Sequence, residues 1–364
     1  MSSATSMYAL GLDQLTNIIV NTGATNFFLV EGRMGYAKSA LLDMVANQLP
    51  THTPIYFDAT TKTAGDAALP FFTKAEEDGY VTMIPHEELG LHLKGPIILM
   101  LDEIGKADRE IKNTMSRLMY EKKAFGYTLH PDSIVFGTTN LGAEGVGDIL
   151  QAHQRNRITT LQARGMTNIE WIEWGINNNV NPALLGFTKD NPQVFAHFED
   201  VKSPDDNLYI FHPKVVRKAF CTPRSLHKFS NILNKRHLLD DMSVTAAGIG
   251  TVGERAAMDI MAFVKMADQL PTLQSIKDDP HTAKVPTSAA ATCMVVYRTL
   301  ASIEREWLDA WMQYMPRLSA EAQGMFANGV RSKNYNAVRQ SMVMTNSRFT
   351  AWAAQNAHMF RADV

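Results

Sequence analysis

Short apolar runs alternate with helical segments through the first part of the chain. Four such runs are Asn26 to Val30, Pro54 to Asp58, Pro96 to Leu101 and Ser133 to Thr139, and a fifth short one follows at Ile158 to Leu161. Ile97-Ile98-Leu99-Met100-Leu101 is apolar at every position, as a central strand covered on both faces requires. Between runs, Asp108 opens a segment with Ile111, Met115, Leu118 and Met119 at helical spacing, an amphipathic helix. Alternating strands and helices predict an α/β fold with a parallel sheet and crossover helices.

After about Arg164 the pattern turns helical. Trp171, Trp174 and Ile176 begin one helical stretch, which Asn177-Asn178-Asn179 and Pro182 break. Thr222-Pro223 reads as an N-cap followed by proline at the first helical position, with Leu226, Phe229 and Leu233 as the buried stripe. Pro271, Pro280 and Pro286 mark a connecting segment. Beyond it Trp307, Leu308, Trp311, Met312 and Met315 share one helix face, read as core. At 364 residues the chain is long enough for about two domains. The composition shifts suggest an α/β domain over 1–163, a helical domain over 164–285 and a helical extension over 286–364.

Residues 32 to 39, Gly-Arg-Met-Gly-Tyr-Ala-Lys-Ser, stand between the first strand and a helix start. Glycines let backbone N–H groups point at phosphate oxygens, a lysine reaches the β and γ phosphates, and a serine hydroxyl ligates Mg²⁺. Gly32, Arg33, Met34, Gly35, Tyr36, Ala37, Lys38 and Ser39 are therefore candidate phosphate-loop residues, although Ala37 stands where glycine is expected. A glycine-rich turn before Lys-Ser can also be an ordinary helix start.

Other candidates lie at strand ends. Leu99-Met100-Leu101-Asp102-Glu103 ends an apolar strand in two carboxylates. Asp102 could hold a metal-bound water and Glu103 could polarise an attacking water as general base. The alternative is a solvated turn. Phe136-Gly137-Thr138-Thr139-Asn140 ends in an amide that could orient that water, if the strands carrying the loop and Asp102-Glu103 are neighbours. A plain asparagine turn is the other reading. Arg155 and Arg157 precede the fifth strand, and Arg224 lies in the first turn after Thr222-Pro223. A guanidinium can neutralise charge on a transferring phosphoryl group, an effect of about 10³ to 10⁵ in rate. Each arginine could equally be solvated.

Together these residues resemble the AAA+ ATPases, and more narrowly their MoxR-like branch. The loop with Ala before Lys38 is similar to Walker A in that branch, Leu101-Asp102-Glu103 to Walker B, and Thr139-Asn140 to sensor 1. Asn156-Arg157 resembles the arginine-finger position, with Arg155 as substitute, and Thr222-Pro223-Arg224 resembles sensor 2. Leu118 to Gly126 looks like the helix end and hairpin before sensor 1. The resemblance covers roughly residues 10 to 285. It implies ATP hydrolysis with Mg²⁺ held by Ser39 and Asp102, and catalysis by Glu103, Asn140, Arg157 in trans and Arg224 in cis. It also implies a helical lid, a hexameric ring that remodels or activates protein partners, and a partner carrying a von Willebrand factor A domain. A pore loop is expected between strands two and three; Leu69-Pro70-Phe71-Phe72 could belong to it, although two adjacent Phe more often mark core.

Composition narrows the alternatives. Net charge is −2, so attraction to nucleic acid or an acidic membrane is not built into the overall balance. An AAA+ motor acting on nucleic acid is the alternative function, and a non-hydrolysing nucleotide-gated scaffold a third. Cys221 and Cys293 form no disulfide framework or zinc signature, which suits a reducing, cytoplasmic setting. No targeting segment and no apolar run of membrane-spanning length is read, so a soluble protein is expected.

Overall fold

The computed structural model describes residues 8–33, 35–72, 79–140 and 156–357. The chain divides into two compact units, Met1–Met166 and Thr167–Val364. The first runs α1 (Leu12–Thr22), β1 (Phe28–Gly32), α2 (Leu41–Gln48), β2 (Thr53–Asp58), a single turn α3 (Ala64–Ala67), β3 (Ala68–Phe71), β4 (Thr82–Pro85), β5 (Ile97–Asp102), α4 (Arg109–Glu121), β6 (Lys123–Ala124), β7 (Tyr127–Thr128), β8 (Ile134–Asn140) and β9 (Thr159–Gln162).

Five strands form one parallel sheet in the order β2-β5-β8-β1-β9. Successive strand residues point to opposite faces, so the sheet needs an apolar layer on each side. Phe28, Val30, Ile98, Met100, Ile134 and Phe136 face α1 and α2 through Leu15, Ile19, Leu41 and Val45. Leu29, Phe57, Leu99, Leu101 and Val135 face α4 through Ile111, Met115, Leu118 and Met119. All four stripe positions expected on α4 are buried, and β5 is buried at every position. The α/β expectation with a helical region after it is met.

Three local expectations shift. The first strand begins at Phe28 rather than Asn26, because Asn26 donates from its backbone and side-chain nitrogens to Thr22 O and closes the turn after α1. The helix expected from Ser39 opens with one 3₁₀ turn, Lys38–Ala40, and becomes α-helical at Leu41. Phe71 and Phe72, read as core, are 44% and 64% exposed. Strands β3 and β4 pair only with each other, outside the five-stranded sheet, so that ribbon has no layer to cover both its faces. Leu69 and Ile84 on the same ribbon are exposed as well.

The second unit is helical: α5 (Asn168–Asn177), α6 (Pro182–Asp190), α7 (Pro223–Asn234), α8 (Asp241–Val252), α9 (Glu254–Ala267), α10 (Leu273–Asp278), α11 (Ala289–Ser302), α12 (Arg305–Tyr314), α13 (Ala320–Arg331), α14 (Ala337–Met344) and α15 (Ser347–Gln355). Side-chain caps start many of them. Thr167 and Glu170 form a capping box on α5, and Thr222 accepts from Ser225 N with Pro223 at the first position of α7. Leu226, Phe229 and Leu233 are buried as the periodicity predicts. Helix α11 is buried over most of its length and binds its neighbours through polar contacts too. Lys189 of α6 donates to Cys293 Sγ at 2.9 Å and to Glu321 of α13 at 3.1 Å. Trp307, Leu308, Trp311, Met312 and Met315 are all buried, with Trp311 against Phe326 of α13 at a 5.4 Å ring separation. Among the described residues no helix is long and apolar enough to cross a membrane.

Gly137 sits where β8 passes under the start of the Glu103–Lys106 turn. A Cβ there would lie 2.9 Å from Ile104 Cγ2 and 3.1 Å from Phe27 Cζ. Gly137→Val is expected to cost about 1 to 3 kcal/mol by overpacking, measured as a lower unfolding midpoint in denaturant.

Candidate functional site

Three strand ends meet at the C-terminal edge of the sheet. In register, Gly32 pairs with Asn140 across β1 and β8, and Leu101 with Gly137 across β5 and β8. Strand β8 thus lies between the strand that leads into the glycine loop and the strand that ends in Asp102. The sequence makes the water-orienting role of Asn140 conditional on those two strands being neighbours; the sheet order places Asn140's own strand, β8, between them. The reason is that β8 pairs in parallel with both.

Strand β8 brings Asn140 to the centre of a polar line. Lys38 Nζ donates to Asn140 Oδ1 at 2.7 Å, and Asn140 Nδ2 donates to Glu103 Oε1 at 2.7 Å. Chemistry fixes the amide's orientation, because an ammonium only donates and a carboxylate only accepts. Lys38 also donates to Gly32 O at 2.8 Å and Arg33 O at 3.1 Å. Its side chain folds back beneath its own loop at 7% exposure. A Cβ on Gly32 would approach Ala163 Cβ to 2.9 Å and Lys38 Cδ to 3.3 Å, so the loop start must be glycine for the lysine stem to pass.

The two carboxylates occupy different surroundings. Asp102 is buried and accepts from the Tyr56 hydroxyl at 2.8 Å and from Thr138 Oγ1. Thr138 in turn accepts from Glu103 N at 3.2 Å. Glu103 leaves the strand with φ 52 and turns back over Asn140. Its second oxygen, Oε2, is buried 3.4 Å from Lys106 Nζ. Lys106 is held there by the turn in which its N–H donates to Glu103 O at 2.8 Å.

Two of the five non-glycine residues with positive φ among the described residues lie in this site, Ala37 at 55° and Glu103 at 52°. Each costs of order 1 to 2 kcal/mol relative to ordinary backbone. The others have local explanations: Lys122 caps α4, Phe125 pairs with Gly126 in the β6–β7 hairpin turn, and Asn179 is a residue type that tolerates this region.

The remaining candidates are dispersed. Ser39 follows Lys38 on the same 3₁₀ turn, and Gly35, Tyr36 and Ala37 complete the described loop. Met34 and Arg155 lie outside the described residues. Arg157 precedes β9, which runs parallel to β1 with Thr159 opposite Phe28. It therefore sits at the N-terminal edge of the sheet, the far edge from the loop. Phe28 to Gly32 alone spans about 13 Å. Arg224 is exposed at the second position of α7, in the second unit. Sequence reasoning missed Tyr56, Thr138 and Lys106. Thr138 carried a signal, a hydroxyl inside an apolar strand two residues before Asn140; Tyr56 carried none without the strand register. Among the described residues no group of three or more His, Cys, Asp or Glu side chains is arranged to hold a metal ion.

No family profile and no curated protein sequence matches the chain. Solved structures of similar shape include a proposed ATPase from Cytophaga hutchinsonii, 14% identical over 48% of this chain, with a TM-score of 0.34. This chain spans about half of that one, 53%. A point mutant of RuvB from Thermotoga maritima is 15% identical over 83% of this chain and 87% of its own, TM-score 0.39. NtrX from Brucella abortus, solved with ADP, is 13% identical over 99% and 69%, TM-score 0.40.

Ala37 gives a direct check on the loop. Ala37→Gly removes the left-handed penalty and is expected to stabilise the fold by up to about 1 kcal/mol, whereas Ala37→Val destabilises it by more. Denaturant titration of the two variants reads both signs.

Proposed function

We propose that this chain is an ATP-hydrolysing AAA+ protein of the MoxR type, which acts as a ring that remodels or activates protein partners. The observation that carries the proposal is the unbroken hydrogen-bonded line Lys38–Asn140–Glu103 at the end of a glycine loop. It supplies in one place a cation for phosphate, an amide to orient water and a carboxylate to accept its proton.

The residues suit a Mg²⁺–nucleoside triphosphate as substrate. The buried Lys38 ammonium, whose three N–H groups rest on Gly32 O, Arg33 O and Asn140 Oδ1, would exchange one of these for a phosphate oxygen, and a buried Asp102 held by two hydroxyls offers an oriented carboxylate. Ser39 and Asp102 would hold Mg²⁺, which when bound neutralises charge on the β and γ phosphates. Lys38 and the loop amides would bind the phosphates. Asn140 Nδ2 has a second N–H, beyond the one given to Glu103, with which to fix a water. Glu103 would take that water's proton. Arg157 lies on the far sheet edge from its own loop, which supports action on the nucleotide of a neighbouring copy. Arg224, at the second position of α7, is the other clamp residue the resemblance implies.

Exposed Leu69, Phe71 and Ile84 on the β3–β4 ribbon, with Phe72 next to it, support a protein rather than a nucleic-acid partner, since exposed apolar side chains favour protein contact. A hexamer and a partner with a von Willebrand factor A domain follow from the same resemblance.

Glu103→Gln is expected to lower ATP turnover by at least about 10²-fold while a fluorescent ATP analogue still binds. Wild-type turnover in that variant would remove Glu103 as the base. Arg157→Ala should be similarly inactive alone and regain turnover when mixed with Lys38→Ala subunits; no recovery would exclude action in trans. DNA should neither bind in a strongly salt-dependent way nor raise turnover, and the opposite result would favour the nucleic-acid motor.

A further inference from the structure

We infer that Tyr120 is the positioning residue for Arg157: its ring holds the guanidinium at the edge of the subunit for use on a neighbouring copy. The inference rests on the trans role proposed for Arg157.

Tyr120 is in the last turn of α4, next to the buried Leu118 and Met119. Its ring packs against the apolar layer between α4 and the sheet, together with Phe125 and Ile158. One side of the ring is thereby fixed by the core. Over the ring lies Arg157, with Cζ 5.7 Å from the centroid, within the distance at which a guanidinium is attracted to an aromatic face. Arg157 is exposed, and among the described residues it has this ring contact and no hydrogen bond or ion pair. An arginine already paired to a carboxylate would have to break that pair before meeting a phosphate. One resting on a ring keeps its N–H fork available and loses less freedom on engagement.

The hydroxyl is not what Tyr120 contributes. Its oxygen is buried without a hydrogen-bond partner among the described residues. Burial holds the phenol above its usual pKa, against the opposing pull of the Arg157 charge, so the ring is neutral at physiological pH. Beside the pair opens a polar cavity of about 260 Å³, lined by Asn26, Lys122, Asn156 and Thr159 among others, which leaves space for the guanidinium to move without clash.

The test uses the full chain with Tyr120→Leu, Tyr120→Phe and Arg157→Ala, measuring turnover at saturating ATP, nucleotide affinity and assembly state. Tyr120→Leu is expected to lower turnover about three- to thirty-fold at unchanged nucleotide affinity, the range of a guanidinium–ring contact. Mixing it with Lys38→Ala subunits, which carry an intact Tyr120 and Arg157, should restore activity. Tyr120→Phe should stay within about two-fold of wild type and be no less stable, since it removes only an unpartnered buried hydroxyl. Because Tyr120→Leu could unfold, fluorinated phenylalanines at position 120 provide a shape-conserving series. Turnover should fall stepwise as fluorine withdraws charge from the ring face. A flat series, or Tyr120→Phe as impaired as Tyr120→Leu, overturns the inference while Arg157→Ala remains inactive. Full turnover in Arg157→Ala overturns the trans reading itself, and the inference with it.

Discussion

The placement of β8 between β1 and β5 is the constraint on which the site depends. An asparagine amide is short and has one acceptor and one donor end. It can join Lys38 to Glu103 only if its strand ends between theirs, at the same height. The register meets that condition: Gly32 lies opposite Asn140, and Leu101 opposite Gly137, so Asp102 and Glu103 arrive one and two residues past that pair. A strand order with β1 beside β5 would leave Asn140 on a flank, bonded to one partner at most. Parallel pairing on both sides also explains why β8 is buried throughout. Its polar end is tolerated because Thr138 and Asn140 each have hydrogen-bonding partners.

Much of this architecture was legible in the sequence. The five strands were marked by apolar runs, and α4 by four apolar positions that all proved buried. Lys38 was marked by the glycine-rich loop, and Asp102, Glu103 and Asn140 by their place at the ends of apolar runs. What could not be read was strand order, because pairing is a long-range choice and apolar runs are interchangeable in composition. Tyr56 shows the consequence. It looks like any aromatic strand residue, and only the pairing of β2 with β5 brings its hydroxyl to Asp102. Phe71 and Phe72 failed for a related reason: apolar character predicts burial only where a second layer exists, and a two-stranded ribbon outside the sheet lacks one.

Backbone strain at Ala37 and Glu103 is held by bonds on either side. Ala40 N donates to Ala37 O at 2.9 Å, closing the turn after the loop. Glu103 is held from both ends, its own N–H on Thr138 Oγ1 and its carbonyl on Lys106 N. Left-handed residues without glycine persist only when neighbours over-determine them, and they gather where a side chain or amide must be aimed against the local trend. In the loop, the left-handed turn lets Lys38 fold under the chain. At Glu103 it ends the strand alternation.

That break in alternation separates the two adjacent carboxylates. Had Glu103 continued β5 in regular geometry, its side chain would point to the face opposite Asp102, into the apolar layer of α4. The change to φ 52 turns it back over the sheet edge, where Oε1 meets Asn140 and Oε2 lies beside Lys106. Asp102, still in strand register, stays in the cleft between Thr138 and Tyr56, each of its oxygens accepting a hydrogen bond from a hydroxyl. The same two carboxylates thus differ in what each can next accept. Asp102 is enclosed and oriented by two hydroxyls. Glu103 instead lies between the Asn140 amide and the Lys106 ammonium. The different placement of these two neighbours in sequence follows from one residue's backbone angle.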